Sequence, residues 1–439
     1  MKKLFLIFLI FLFPYSSATS LNIDFFTRFN DCYFEKYIKE ALENNHDLKS
    51  ANYKVQQYRY EISNQFSEQL PNLSVSSNYL GASVPAGDNN VLIKRNSYVL
   101  PLRASYEPDL ILKNRDKTKS KKYLFKAQVQ NQKATYISLV TDVANAYLNI
   151  LLYDYLIEKQ REIIKDKEEN TDFNKNKYNY GVISFIDLND IFSELNSQKI
   201  LYENLIKQQK TTLYNFASLL GRSAYDSENI ERGKLLDFEY QEEIPNCINS
   251  DLIYNRPDIV ELENKLKSAK IDITVAKKDF LPTFNINGFL IFDTAGGGNF
   301  FSWESSFAYL IAGLTQDIFR GGAKIANLKI KKARFQELLE NYKQADLNAI
   351  KEINNALNLI KQTTNSQKYS SNQVQLEKDN FIASIKKLKA GTISKIEYLQ
   401  NKNSLNQKEQ LFAYTKTSRL NSYFTLYKAL GGQLWRKKS

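Results

Sequence analysis

From about residue 113 to residue 177 the apolar positions recur at helical spacing. Ile137, Val140, Ala144, Tyr147 and Leu151 are separated by three and four residues in turn, the stripe of a helix that buries one side against neighbours. Ile350, Ile353, Leu357 and Ile360 repeat the rhythm much later. Elsewhere the period is two. Leu73, Val75, Ser77 and Tyr79 share one face of an extended stretch, as do Tyr98, Leu100, Leu102 and Ala104, with the loop "VPAGDNNVLIKRN" between them. Phe284, Ile286, Gly288, Leu290 and Phe292 alternate up to the turn "DTAGGGN", and Phe307, Tyr309, Ile311, Gly313 and Thr315 follow it. Such alternation between turn residues reads as two β-hairpins. The expectation is a mainly α chain with a small β part.

These pieces occur twice. Gly221 and Gly431 stand 210 positions apart, as do Gly181 and Gly391. "YGVISFIDLNDIFSELNSQ" (Tyr180 to Gln198) lies over "AGTISKIEYLQNKNSLNQ" (Ala390 to Gln407), and "LYNFASLLG" (Leu213 to Gly221) is a draft of the closing "YFTLYKALGGQLW" (Tyr423 to Trp435). Upstream, Asp47 matches Asp258 and Pro71 matches Pro282 at a spacing of 211. A long period of this kind indicates two copies of one unit sharing an assembly. The predicted organisation is a leader at 1–18, a first repeat at 19–221, a linker at 222–249, a second repeat at 250–431 and a tail at 432–439. The first repeat holds an upper helix of roughly 34 residues stopped by Leu70 and Pro71, a hairpin at about 73–106, a long helix at about 113–177 and a lower helix at about 185–220. The second hairpin is expected at about 283–317.

The lengths are compatible. A helix of about 65 residues is about 98 Å long, and the two shorter helices end to end nearly match it. Each unit can lay one long helix beside two stacked short ones. Four strands per chain cannot close a barrel, and open edges are not tolerated in lipid, whereas three copies supply about twelve strands.

The leader has two lysines, an apolar run from Leu4 to Phe13, Pro14, and small residues to Ala18, the order of a secretory signal. No later run approaches spanning length, and the mean hydropathy is -0.45, so entry into a membrane would be as β-strands. Eight prolines and 15 glycines in 439 residues suit long helices with few turns. The net charge of +12 is carried by lysines interleaved with acidic residues, a pattern of solvated helix faces that argues against nucleic acid as a partner. Cys32 and Cys247 are compatible with one disulfide or with two separate thiols. The single histidine, His46, offers neither a metal cluster nor a catalytic base with partners. "AGGGN" sits in a strand turn and not in a phosphate-binding loop. No catalytic residue, metal or cofactor is expected.

The doubled unit, "NRPDI" opening the second copy, the "LP" pair before each hairpin, "DIFRGG" (Asp317 to Gly322), "AGTISKIEYLQ" and the closing "LYKALGG" before Trp435 together resemble the TolC-like outer membrane factor family of tripartite efflux and type I secretion systems. The resemblance covers nearly the whole mature chain. It implies a homotrimer with a 12-stranded β-barrel in outer-membrane lipid and a helical barrel extending into the periplasm. The implied function is the exit duct for drugs or proteins delivered by a periplasmic adaptor and an inner-membrane RND or ABC pump. It places a narrowing ring at Glu397 and Gln400, with Asp187 and Asp190 on the matching turn, and adaptor docking at Gly181, Val182, Gly391 and Thr392. Where better-known members carry a basic and a tyrosyl residue, this chain has Ile393 and Leu388, which cannot form polar links. Two plainer readings stand beside these: a helix-start carboxylate favoured by the dipole at Glu397, and simple tight turns at the glycines. The alternative function is an exported periplasmic coiled-coil structural or adaptor protein.

Overall fold

The computed structural model describes residues 23–86, 91–240, 251–293, 303 and 306–433. The leader, Cys247, the turn after Asp293, the centre of the first hairpin loop and Trp435 lie outside them. The elements in chain order are α1 (Cys32–Asn44), α2 (His46–Ser67), β1 (Asn72–Val75), β2 (Asn78–Ala86), β3 (Val91–Tyr106), α3 (Lys113–Asn179) and α4 (Phe185–Leu219). They continue as α5 (Asp251–Tyr254), α6 (Pro257–Lys278), β4 (Thr283–Asp293), β5 (Ser306–Thr315), α7 (Ala323–Lys389) and α8 (Lys395–Ala429). Two compact units divide the chain: 1–45, 137–249 and 353–439 form one, and 46–136 with 250–352 form the other.

Two sequence expectations need correction. The upper helix is not continuous: it breaks at Asn45, whose backbone turns extended (φ -58, ψ 128) while its N–H still bonds Ala41 O. Its side-chain amide donates to Leu219 O at 3.0 Å, fixing the break against the end of α4. The second copy breaks at the equivalent Arg256, and there Pro257 occupies the first helical position, where a missing N–H costs nothing. The first strand is also interrupted. β1 and β2 both pair with β3, and between them Ser76 N donates to Pro101 O at 3.2 Å. Pro101 has no N–H to return, so the ladder fails at that pair.

The strand-bearing unit holds one antiparallel sheet in the order β1/β2, β3, β4, β5. Its helices enter and leave under explicit control. Asp109 caps α3, its two carboxylate oxygens accepting from Lys113 N and Arg115 N at 2.6 and 2.8 Å, and α7 follows Gly321 and Gly322, both at positive φ. Arg256, almost fully buried, pairs with Asp258 and with Glu352 of α7 at 2.7 and 2.8 Å.

The core of the other unit is aromatic. Phe25, Phe29, Phe34, Phe238, Phe424 and Tyr427 interlock at centroid separations near those of Phe25 and Tyr427 (4.7 Å) and Phe29 and Phe424 (5.2 Å), a geometry that adds to area burial. Tyr147, from the middle of the α3 stripe, donates its hydroxyl to Asp31 Oδ2 at 2.8 Å and accepts from Gly233 N at 3.2 Å. Burial holds its phenol well above the ordinary range. All five residues of that stripe are buried. In α7 only Ile353 is; Ile350 is exposed, and Leu357 and Ile360 are half-buried.

The closing glycines have a steric explanation. Gly221 and Gly432 both adopt left-handed backbone (φ 75). A Cβ on Gly221 would lie 2.7 Å from Asn44 O, and one on Gly432 2.8 Å from Ile137. Each copy therefore ends where its last helix turns back against an earlier element with no room for a side chain.

Candidate functional site

The sheet has two chemically different faces. Register places Leu73 opposite Ala104, Ala104 opposite Gly288 and Gly288 opposite Leu310, while Val75, Leu102, Leu290 and Ala308 form the next row. These rows make one continuous apolar face, and Leu73, Val75 and Leu310 are largely exposed on it. A water-soluble fold would not leave such a surface bare. On β3 the same face carries Tyr106 at one end and Tyr98, which packs on Tyr79 at 5.2 Å, at the other. Eight residues of strand separate those tyrosines by about 26 Å, close to the height of an outer-membrane apolar band between aromatic girdles. The alternate residues make a mixed face: Ser74, Arg103, Ser105, Asn285 and Asn287 supply polar groups toward one end, and Pro101, Phe289, Ile291, Phe307 and Tyr309 fill the middle and the other end.

Among the described residues both ends of the sheet are open: β1 and β2 pair only with β3, and β5 pairs only with β4. Among the described residues no helix is long and apolar enough to cross a membrane, and no cluster of His, Cys, Asp or Glu could hold a metal ion. His46 is exposed at the start of α2, and Cys32 is an exposed free thiol; its suggested partner Cys247 lies outside the described residues.

The two helical turns are near copies. Gly181 and Gly391 adopt φ 72 and 71. Val182 N bonds Lys177 O at 2.8 Å and Thr392 N bonds Lys387 O at 3.0 Å, which satisfies carbonyls at the end of each long helix. Gly181, Val182, Gly391 and Thr392 are all exposed. Ser184 and Ser394 then cap α4 and α8. Around the first turn Tyr180, Val182, Phe185 and Ile186 stand in solvent; around the second Lys386, Lys387 and Lys389 do.

The acidic residues picked out by sequence have unequal surroundings. Asp187 completes a capping box: Oδ2 accepts from Ser184 N and Oγ at 3.0 and 2.7 Å, and Asp187 N donates to Ser184 Oγ at 3.1 Å. Those bonds hold its carboxyl below the ordinary aspartate range, the side-chain bond first. Glu397 also has its amide on Ser394 Oγ at 3.1 Å, yet its carboxylate is not used in a box. Glu397, Gln400 and Asp190 are exposed. The pattern Ser-x-x-Asp was present in the sequence and would have revealed the capping role of Asp187.

The family model described as outer membrane efflux protein matches residues 37–222 and 249–432, so the chain belongs to that family. The segment left between the two matches, 223–248, falls inside the stretch 222–249 expected as a linker. The toluene efflux pump outer membrane protein TtgC of Pseudomonas putida is 25% identical over 418 residues, covering 92% of this chain and 84% of the relative. The cation efflux system protein CusC of Escherichia coli is 26% identical over 430 residues, covering 94% and 89%. The crystal structure of the Campylobacter jejuni CmeC outer membrane channel superposes with a TM-score of 0.85 at 24% identity, over 95% of this chain and 89% of that one. The protein is an outer-membrane efflux channel component and not an enzyme, which sets aside the coiled-coil adaptor reading.

Proposed function

We propose that three copies of this chain pool their strands into a closed 12-stranded barrel and act as the exit duct of a tripartite efflux assembly. The observation that carries this is the four-stranded width of a sheet with two open edges and one apolar face bounded by tyrosines. Lipid does not tolerate such edges, so each must pair with a neighbouring copy. The exposed parts of the α7 stripe fit the same reading, since neighbouring copies would bury them.

In this arrangement the hairpin loops face outward and the turns at Gly181 and Gly391 face the periplasm. A periplasmic adaptor, coupled to an inner-membrane RND or ABC pump, docks on those turns. Their exposed aromatic and lysine sides give it two distinct footholds. Glu397 and Gln400, repeated threefold, narrow the mouth and favour cations, with Asp187 and Asp190 outside that ring. Because Ile393 and Leu388 offer no polar links, closure rests on helix packing. The cargo is a small molecule, as the toluene and cations in the names of two relatives suggest.

The test is mass measurement on detergent-extracted protein. Three copies are expected; a stable monomer with full β-content would overturn the proposal.

A further inference from the structure

Arg103 is the feature that a drain for small molecules does not require. It lies on the mixed face of the sheet, where register sets it opposite Phe289, and Phe289 opposite Tyr309. The guanidinium carbon sits 5.2 Å from the Phe289 centroid. Phe289 and Tyr309 stack at 4.7 Å with 16° between their planes. Cation, ring and ring thus form a ladder across β3, β4 and β5.

Three observations place the ladder on the face opposite the apolar rows and show no carboxylate in its own row among the described residues. Arg103 alternates with Leu102 and Ala104 of the apolar face, and an arginine turned toward lipid at mid-depth would cost about 2–4 kcal/mol. Its neighbours on the same face are uncharged: Ser74 across the β1 pair and Ser105 and Asn287 one step along can hydrogen-bond, while Pro101 and Ile291 on the other side are apolar. The acidic residue of that face on β4, Asp293, is four positions further on and pairs with Val99. Arg103 is exposed, and its own row, made of Ser74, Phe289 and Tyr309, holds no carboxylate.

We propose that Arg103, Phe289 and Tyr309 form a binding site, one per protomer, for planar aromatic anions passing through the barrel. An aromatic ring stacks on the free face of the guanidinium or on the edge of the Phe289–Tyr309 pair. A carboxylate, sulfonate or phosphate on that ring takes the N–H fork, with Ser74, Ser105 and Asn287 as supplementary donors. The fork geometry is specific to arginine, because lysine supplies charge without a plane to stack on. This deepens the channel reading by naming a cargo class, and it rests on that reading for the mixed face being the channel interior.

Fluorescence anisotropy of pyrene tetrasulfonate, a planar anion that does not partition into micelles, tests it on the purified full-length protein in detergent. The wild type binds the dye in a salt-sensitive manner. Arg103→Ala weakens binding roughly tenfold or more, Arg103→Lys weakens it less, and Phe289→Leu, which keeps the charge, weakens it by roughly threefold to tenfold. Equal affinity in Arg103→Ala, or a Phe289→Leu variant indistinguishable from wild type, overturns the site. Mass and bilayer conductance measured on the same samples separate the two ideas. Trimers that conduct but ignore the dye remove the site and keep the channel, whereas protein that neither assembles nor conducts removes the channel reading.

Discussion

Helices α4 and α8 hold the same place in their repeats. Each has 35 residues, follows a glycine turn and is capped by serine. Their buried faces differ. In α4 Leu188, Leu195, Leu205, Leu213, Phe216 and Ala217 are buried, with no polar side chain among them. In α8 Leu399, Leu405, Ala413 and Leu420 are accompanied by Asn403, Asn406, Lys416 and Thr417. The counterparts of Asn403 and Asn406 one repeat earlier, Ser193 and Asn196, are exposed. The two helices meet different neighbours, α4 packing on α1 through Phe216 and Tyr37 at 5.2 Å. Helix α8 bonds α3 through Lys402 to Asp166 and Gln410 to Gln160, and α7 through Thr415 to Ser370 and Ser422 to Thr363. The linker reaches it too, Glu239 holding both Lys416 and Arg419 at 2.8 Å. Helix α4 is linked to α3 through Gln198 to Gln160, Glu194 to Lys167 and Lys199 to Glu168. The two helices share a backbone plan, and their different surroundings in the chain go with different side chains under cover.

That asymmetry has an energetic side. Asn403 Oδ1, Asn406 Nδ2, Thr417 Oγ1 and Asp166 Oδ2 are buried without a hydrogen-bond partner. Each such atom costs about 1–3 kcal/mol. Helix α8 therefore carries buried polar groups that are not fully satisfied beside its apolar ones, while the buried side chains of α4 are all apolar.

The largest expected effects probe the seam. Leu195→Ala and Leu405→Ala, one repeat apart and both buried, should each lower stability by about 3 kcal/mol, read as a shift in urea midpoint by circular dichroism. Asn403→Leu should instead raise stability by about 1 kcal/mol, because it removes an unmatched carbonyl. A loss would show that the amide is satisfied and would break the contrast between the helices. The next concerns passage. In planar bilayers Glu397→Ala should lower cation preference severalfold and weaken block by a trivalent cation from the periplasmic side, while Asp187→Ala leaves selectivity nearly intact and loosens the start of α4. Equal effects would erase the distinction between a mouth carboxylate and a capping one.

The smallest effect is a pH response confined to one cap. Because the Asp187 carboxyl is held below its ordinary value, its contribution is fully present above the normal aspartate range and is lost as pH falls through the lowered value. Amide exchange should show the first turn of α4 losing protection in acid before that of α8. A parallel loss in both would mean that the Asp187 bonds do not govern the cap.

Much of this was readable in the chain because glycine and proline mark it at fixed intervals. The glycines at 181, 221, 391 and 431 occupy left-handed positions, and no other residue type fits them cheaply. The break at Asn45 was hidden, since His46 carries no helix-start signal; carrying Pro257 back by one repeat would have exposed it. The split of the first strand lay in Pro101, on a partner strand whose register is not local information. The same limit hid the Arg103 ladder, whose three members are far apart in sequence. At the turns, composition picked out Asp187 as an acidic residue but not that Ser184 engages it in a capping box.

The open edges of the sheet also have a genetic meaning. A chain whose β5 or β1 cannot pair would, in the proposed trimer, spoil the ring it joins, not just its own share of it. In the proposed trimer, a cell making equal amounts of sound and edge-defective chain would hold about one intact ring in eight if copies mix at random. Damage at the strand edges should therefore behave as dominant, and damage that prevents export of the chain as recessive.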